Sequence, residues 1–312
     1  MFQTLKNKLK KNSFVHGSYK RLKRVFGSEL IGMTSKTEQD YLAGYGEKIY
    51  SGKGEIVDLG CWLGSTTIPL VKGLLKNPAF AASNRKVYAY DLFLWFDWMN
   101  SSAVGTNLAR KYSEGDNFVA EFKRRTKEFA RHIEIREGDL KEIGWTGEKI
   151  EFLLVDAMKN WDLANAIVRD FYSSLVPRES LVLHQDYAHF FTPWIHLLQW
   201  NFRENFELVG EVPKSQSVIF RYKTAIADEL LNKDYCFESF SDADADAAFE
   251  YSMSLVSMEK TPNVAAAKVM WFLHQDRREK AKSEFESFLK SGIPLENDLL
   301  IVREMLDAPS KT

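Results

Sequence analysis

Cysteine is nearly absent from this chain: only Cys61 and Cys236 occur among 312 residues, far apart and outside any CxxC pattern. That excludes a disulfide framework and a cysteine-based zinc site. Long hydrophobic runs are missing too; none approaches the roughly 18 residues of a membrane span. The N-terminus lacks the apolar stretch of a secretory signal, so a cytoplasmic protein is expected. Neither sign of charge prevails, with 42 Lys plus Arg against 43 Asp plus Glu. With 45% hydrophobic and 27% charged residues, the composition is that of an ordinary globular protein with room for two units.

The small net charge conceals three segments. Residues 1–26 carry eight Lys/Arg and no acid, residues 27–223 are near neutral, and residues 224–312 carry 17 acids against 10 bases. The expected division is a basic arm over 1–34, a central domain over 35–223 and a C-terminal subdomain over 224–312. In the arm, Phe2, Leu5, Leu9, Val15, Tyr19, Leu22 and Phe26 recur at helical spacing among the basic residues. Such a helix suits peripheral contact of residues 1–26 with an anionic membrane, each basic residue contributing about 1 kcal/mol near the surface. Packing on the body or on a second copy, as in a homo-oligomer, is the competing reading. A nucleic-acid partner is not expected, because no basic module with interleaved aromatics follows.

The middle segment alternates two kinds of run. GEIVDLG (54–60), KVYAYDLF (86–93), IEIREGDL (133–140), IEFLLVDA (150–157) and SLVLHQD (180–186) read as buried strands. STTIPLVKGLLK (65–76), DNFVAEFKRRTKEFARH (116–132) and WDLANAIVRDFYSSL (161–175) read as the helices among them, and FELVGEV (206–212) with SVIFRY (217–222) as a closing antiparallel pair. This alternation predicts a parallel sheet with helices on both faces, and ligands outside the carboxyl ends of its strands. After Tyr222 the pattern predicts about four helices, an appendage whose role the sequence leaves open. Asp242, Asp244 and Asp246 imitate a calcium loop, but Ala247 replaces its glycine, and helix capping is the better account.

Two phosphate motifs are incomplete at the first strand's end, DLGCWLG (58–64). A dinucleotide turn needs glycine where Trp62 stands, and a P-loop needs a lysine that Leu63-Gly64-Ser65 lacks. What remains is an acid, Asp58, with Gly60 and Gly64. Backbone N–H groups at a helix start accept a carboxylate, and a nearby acid balances an ammonium. Asp91, closing the second strand, suits two ribose hydroxyls, and Gly138-Asp139 suits an adenine edge. An amino acid, a ribose and an adenine together describe S-adenosylmethionine.

In this order EIVDLGCWLG, VYAYD, IREGDL and IEFLLVDA resemble the class I S-adenosylmethionine-dependent methyltransferases over roughly residues 35–222. The resemblance implies an α/β fold, a doubly wound seven-stranded sheet of order 3-2-1-4-5-7-6 whose last strand is antiparallel, here followed by the helical appendage. The expected cofactor contacts are Asp58, Gly60, Trp62, Gly64, Ser65, Asp91, Leu92, Gly138, Asp139 and Asp156.

An acid after the fourth strand and a polar pair after the fifth are similar to the metal-dependent O-methyltransferases of the catechol and macrocin (sugar) types. That likeness implies Asp156, Gln185 and Asp186 as ligands of Mg2+ or another divalent cation, which would lower the pKa of an acceptor hydroxyl. Gln185 stands where the pattern has an acid and weakens such a site. His184 offers a general base without metal, so Asp156, His184 and Asp186 are the candidate catalytic residues and both mechanisms stay open. His189 reads as a loop residue, and Lys159 and Trp161 as a solvated lysine and a helix-start aromatic, with the lining of an acceptor pocket as the alternative. Residues 92–117 are long enough for a lid, and Phe93, Trp95, Phe96 and Trp98 within them read equally as an acceptor wall or adenine stack and as plain core or lid packing. The expected activity is O-methylation of a small molecule or glycan. N-methylation and a catalytically silent scaffold are the alternatives.

Overall fold

The computed structural model describes residues 32–308; the basic arm expected over 1–26 lies outside them. The seven strands are β1 (Glu55–Leu59), β2 (Val87–Asp91), β3 (Ile133–Glu137), β4 (Ile150–Val155), β5 (Leu181–His184), β6 (Phe206–Glu211) and β7 (Val218–Tyr222). They form one sheet in the order β3-β2-β1-β4-β5-β7-β6. β1 pairs parallel with β4, β2 with β3 and β4 with β5, whereas β7 runs antiparallel to both β5 and β6. The expected fold class is therefore the observed one.

Strand sequence explains strand position. Every residue of β1, β4 and β5 is buried, as apolar runs covered on both faces require. In the edge strands β3 and β6 only the first residue is buried, and the rest are half-buried or exposed.

Contacts divide the chain into two units. One comprises the described residues up to Ser51, Gly60–Gly138 and Pro213–Ser215; the other comprises Gly52–Leu59, Asp139–Val212 and the described residues from Gln216. In the first, α1 (Lys36–Lys48) opens with a capping box between Ser35 and Glu38. It crosses α2 (Thr67–Leu74) at Gly73, where a Cβ would lie 2.0 Å from Ala43 O. Only glycine permits that approach.

The helix expected over 116–132 is interrupted. α3 (Val119–Arg125) ends at Thr126, and a 3-10 segment, Lys127–His132, follows. Thr126 Oγ1 donates to Phe122 O at 2.8 Å, so its side chain competes for a carbonyl of the helix it ends. The preceding excursion is pinned at its base. Trp95 N–H donates to Asp116 O, Gly115 N–H to Trp95 O and Phe118 N–H to Phe93 O, each at 2.8 Å. Phe93 and Trp95 are fully buried, packed with Phe118 and Phe122. They are core residues.

In the second unit, α4 (Trp161–Phe171) and α5 (Pro193–Asn201) accompany the strands. The four expected C-terminal helices are α6 (Asp242–Leu255), α7 (Thr261–His274), α8 (Arg278–Lys290) and α9 (Asp298–Asp307). The aspartates of the calcium-like stretch serve the helix. Ser241 and Asp244 form its capping box, Asp242 pairs with Arg277 and Lys280, and Asp246 pairs with Lys268. No helix among the described residues is long and apolar enough to cross a membrane.

Candidate active site

In the first unit the glycine turn hangs from the end of β2. Gly60 and Cys61 donate their N–H groups to Tyr90 O at 2.9 and 3.2 Å. Asp91 then accepts from Trp62 N–H at Oδ2 and from Phe93 N–H at Oδ1, both at 2.8 Å, while its carbonyl takes the N–H of Gly138 at 3.0 Å. One residue thus ties three loops together. The turn needs left-handed backbone at Gly60 (φ 90°), Trp62 (φ 41°) and Gly64 (φ 83°). A Cβ on Gly64 would also meet Ile68 Cδ1 and Thr126 Cγ2 at 3.3 Å. Ser65 is buried, its hydroxyl 2.7 Å from that of Thr34.

Two features of this turn fit S-adenosylmethionine. Trp62 Nε1 is buried without a hydrogen-bond partner among the described residues, although the ring itself packs 6.1 Å from Trp95. Leu92, next to Asp91, is 37% exposed and leaves an apolar face beside that carboxylate. Asp139 belongs to the second unit, where Oδ1 accepts the N–H of Lys141 at 3.0 Å.

The chemistry-bearing residues of the second unit follow β4 and β5. Asp156 N–H donates to Leu59 O at 2.9 Å and Gln185 N–H to Val155 O at 3.0 Å, which continues the ladders past the strand ends. Lys159 Nζ donates to Asp156 Oδ1 at 2.6 Å and also to Asp186 Oδ2. The two acid side chains are 16% and 15% exposed and that of Lys159 is 42% exposed, so the group is reachable from solvent. Burial pushes the Asp156 carboxyl up to about 8; Lys159 opposes this, and the charges of Asp186 and the buried Asp58 add to it. On Asp186 burial acts upward, but Lys159 and the histidines prevail and the net direction is down. Burial works against the charge on Lys159, and the two acids outweigh it.

This arrangement does not fit a divalent metal. The ammonium of Lys159 holds the place between Asp156 and Asp186, two of the three expected ligands. At about 4 Å and an effective dielectric of 20, unit charges interact by about 4 kcal/mol, and an ion of charge two would feel roughly twice that repulsion from Lys159. Gln185 Oε1, the third expected ligand, is buried with no partner among the described residues. Among those residues no group of three or more His, Cys, Asp or Glu is placed to hold a metal ion.

His184 is turned into the core. It is 3% exposed, with Nε2 3.0 Å from Tyr172 Oη and its ring edge-on to Phe220. Burial lowers its pKa to about 4, against a smaller upward pull from Asp186. His189 lies in the following loop, where Nδ1 accepts the Phe191 N–H at 3.1 Å.

An aromatic cluster in the same unit is built around Trp161, two residues after Lys159. Trp161 stacks on Phe240 and meets Phe237 edge-on, with centroids 5.8 and 5.6 Å away. Trp194 lies 6.3 Å from Trp161, and its Nε1 donates to Met158 O at 2.7 Å. His274 closes the group against Phe237 and Trp194. Apart from Trp161, sequence reasoning missed these residues. Their one signal is the aromatic density of FESF (237–240) and of the last turn of α7.

No protein-family model matches the chain, and no curated protein sequence matches it. Solved structures do resemble it at low identity. The O-methyltransferase NovP is 17% identical over 63% of this chain and 84% of its own, with a TM-score of 0.48. The calicheamicin methyltransferase CalS11 is 15% identical over 67% and 92%, with a TM-score of 0.44. An S-adenosylmethionine-dependent O-methyltransferase from Thermotoga maritima is 13% identical over 66% and 72%, with a TM-score of 0.41. The assignment of the fold rests on the chain's own strand order, β3-β2-β1-β4-β5-β7-β6 with β7 reversed.

Proposed function

We propose that the protein is an S-adenosylmethionine-dependent O-methyltransferase acting on a hydroxyl of a small molecule or glycan that carries a ring. The observation that carries this reading is the glycine turn bound to Asp91, in a sheet of this order. S-adenosylmethionine, when bound, supplies an electrophilic methyl group. Asp91 would hold the ribose hydroxyls, since each carboxylate oxygen accepts more than one hydrogen bond. Leu92 would cover the adenine, with Gly138 at its edge. The start of α2, after Gly64 and Ser65, would meet the amino-acid carboxylate.

The acceptor reading rests on the second unit. The carboxyl groups of Asp156 and Asp186, both held by Lys159, are the groups placed to take the hydroxyl proton. His184, turned into the core and engaged by Tyr172, is out of reach of an acceptor. The rings of Trp161, Phe237 and Phe240 suit the face of a sugar or an aromatic acceptor.

Calorimetry of the purified chain with S-adenosylmethionine tests the proposal, with binding of one equivalent expected. Folded protein that shows no heat of binding would leave the silent-scaffold reading in its place. With an acceptor in hand, Asp156→Asn should lower turnover by about 10²-fold or more while leaving cofactor affinity nearly unchanged. Loss of cofactor binding in that variant would mean that Asp156 serves the cofactor instead.

A further inference from the structure

Within the methyltransferase reading, we propose that Lys159 is the resident cation of the acceptor site and does the work that a divalent metal does in metal-dependent enzymes of this kind. A metal in such a site attracts two carboxylates, orients the acceptor oxygen and stabilises its negative charge. Lys159 Nζ already has the first property, donating to Asp156 Oδ1 and to Asp186 Oδ2 from the loop that directly follows β4. An ammonium has three N–H donors. Two point at the acids, which leaves the third for an incoming hydroxyl oxygen, and a side chain 42% exposed can be reached by one.

The composition of the group agrees. Gln185 stands where the metal-dependent pattern has an acid, and the carboxyl groups that Lys159 Nζ meets are the two of Asp156 and Asp186. Two carboxyl groups match the needs of one lysine and keep an oxygen free of it to receive a proton. Magnesium prefers a nearly octahedral set of oxygen ligands and gives up its water reluctantly, and it would have to displace a charged amine to enter.

The proton bookkeeping closes without a metal. As the acceptor oxygen becomes nucleophilic, its O–H bond breaks and the proton passes to a carboxylate oxygen of Asp156 or Asp186. The electron pair stays on the acceptor oxygen, and Lys159 keeps its own protons throughout, bound by electrostatics to the developing charge. Lys159 is thereby a catalytic residue in its own right, in contact with the reacting oxygen.

Titration of the full-length protein with Mn2+ alone, read by electron paramagnetic resonance, tests the inference without need of the acceptor. The wild-type chain should leave Mn2+ free at concentrations up to about millimolar, well beyond the needs of a resident metal. Lys159→Met, which keeps the length of the side chain and removes the charge, should bind Mn2+ about tenfold more tightly or better, because the two carboxylates lose their ammonium. Lys159→Arg keeps a cation in place and should resemble the wild type, so it carries the comparison if the methionine variant folds poorly. Tight Mn2+ binding by the wild type overturns the inference, as does equal absence of binding in wild type and a folded Lys159→Met. Calorimetry with S-adenosylmethionine on the same samples separates this from the function itself. Cofactor binding with no Mn2+ response in Lys159→Met removes only the role of Lys159, whereas absence of cofactor binding removes the methyltransferase reading.

Discussion

Asp91 and Gly64 show how much of the candidate site depends on backbone geometry. Asp91 spends both carboxylate oxygens on N–H groups of the turn and of the following loop, so it shapes the cradle before any ligand arrives. Asp91→Ala would leave Trp62 N–H and Phe93 N–H without their acceptor, at a cost of about 1–3 kcal/mol for each group that stays unsatisfied. We expect both a lower melting temperature and a loss of cofactor affinity. A variant that lost affinity alone would show that the structural bonds are dispensable. Gly64→Ala should destabilise by about 1–2 kcal/mol from the left-handed backbone alone, because φ is 83° there. Thermal unfolding would detect that as a fall of roughly 4 °C. Both residues were legible in the sequence, one as the acid ending the second strand and the other as the second glycine of the turn. The part played by Trp62 was legible only in half. Its bulk does exclude the dinucleotide motif, but nothing in the sequence reveals that its N–H binds Asp91 or that its backbone is left-handed.

At the scale of single elements, strands proved more legible than the segments that join them. Runs such as IEFLLV are buried on both faces and leave no alternative to a central strand, and Asp156 and Asp186 follow their strands as expected. The stretch from 92 to 132 was harder, because its aromatic spacing suits a helix, a lid or a core equally well. Long-range partners decided among them. Phe93 and Trp95 pack on Phe118 and Phe122, and the helix stops where Thr126 turns its hydroxyl on Phe122 O. Glu121, in α3, secures the same stretch. Its side chain is 1% exposed and meets Arg124, Arg125 and Lys111, the last from the excursion itself. The Arg124 hydrogen bond, with help from Lys111 and Arg125, holds the carboxyl down at about 2, below its ordinary value of 4.5. A lowered folded-state pKa stabilises above the unfolded value and ceases to do so as pH falls through the folded one. The contribution should therefore be whole above about pH 4.5 and fade toward pH 2. Allowing for the exposed partners, Glu121→Gln should cost on the order of 1–2 kcal/mol at pH 7. Near pH 2 the wild type and the variant should unfold at nearly the same denaturant concentration. A difference that persists undiminished at pH 2 would assign the role of Glu121 to packing rather than to charge.

Over the whole chain, the sequence marked a helical appendage after Tyr222 but gave no reason for it. The contacts of the second unit supply one. The loop after β5 carries Asp186, and the C-terminal helices hold the residues that follow it. Tyr187 Oη donates to Ser252 Oγ at 3.0 Å, Asn263 Nδ2 donates to Ala188 O at 3.0 Å, and Phe190 N–H donates to Asp298 Oδ2 at 3.0 Å. These partners come from α6, α7 and α9, residues 65 to 108 positions further along, which is why no local pattern could announce them. Asp298 is the sharpest of these bonds to test, since it is 8% exposed and also accepts from Gln216 Nε2 at 3.1 Å. Asp298→Ala removes the acceptor of a buried N–H, at about 1–3 kcal/mol, and should lower the melting temperature by roughly 5 °C. If the helices exist to fix the loop after β5, the variant should also lose turnover at a temperature where it remains folded, while its affinity for S-adenosylmethionine stays near that of the wild type. A loss of stability with full turnover would instead make the appendage a brace for the fold. The two outcomes are separated by measuring turnover and melting on the same preparation, because a site that depends on the position of Asp186 responds to displacement of its loop well before the sheet itself gives way.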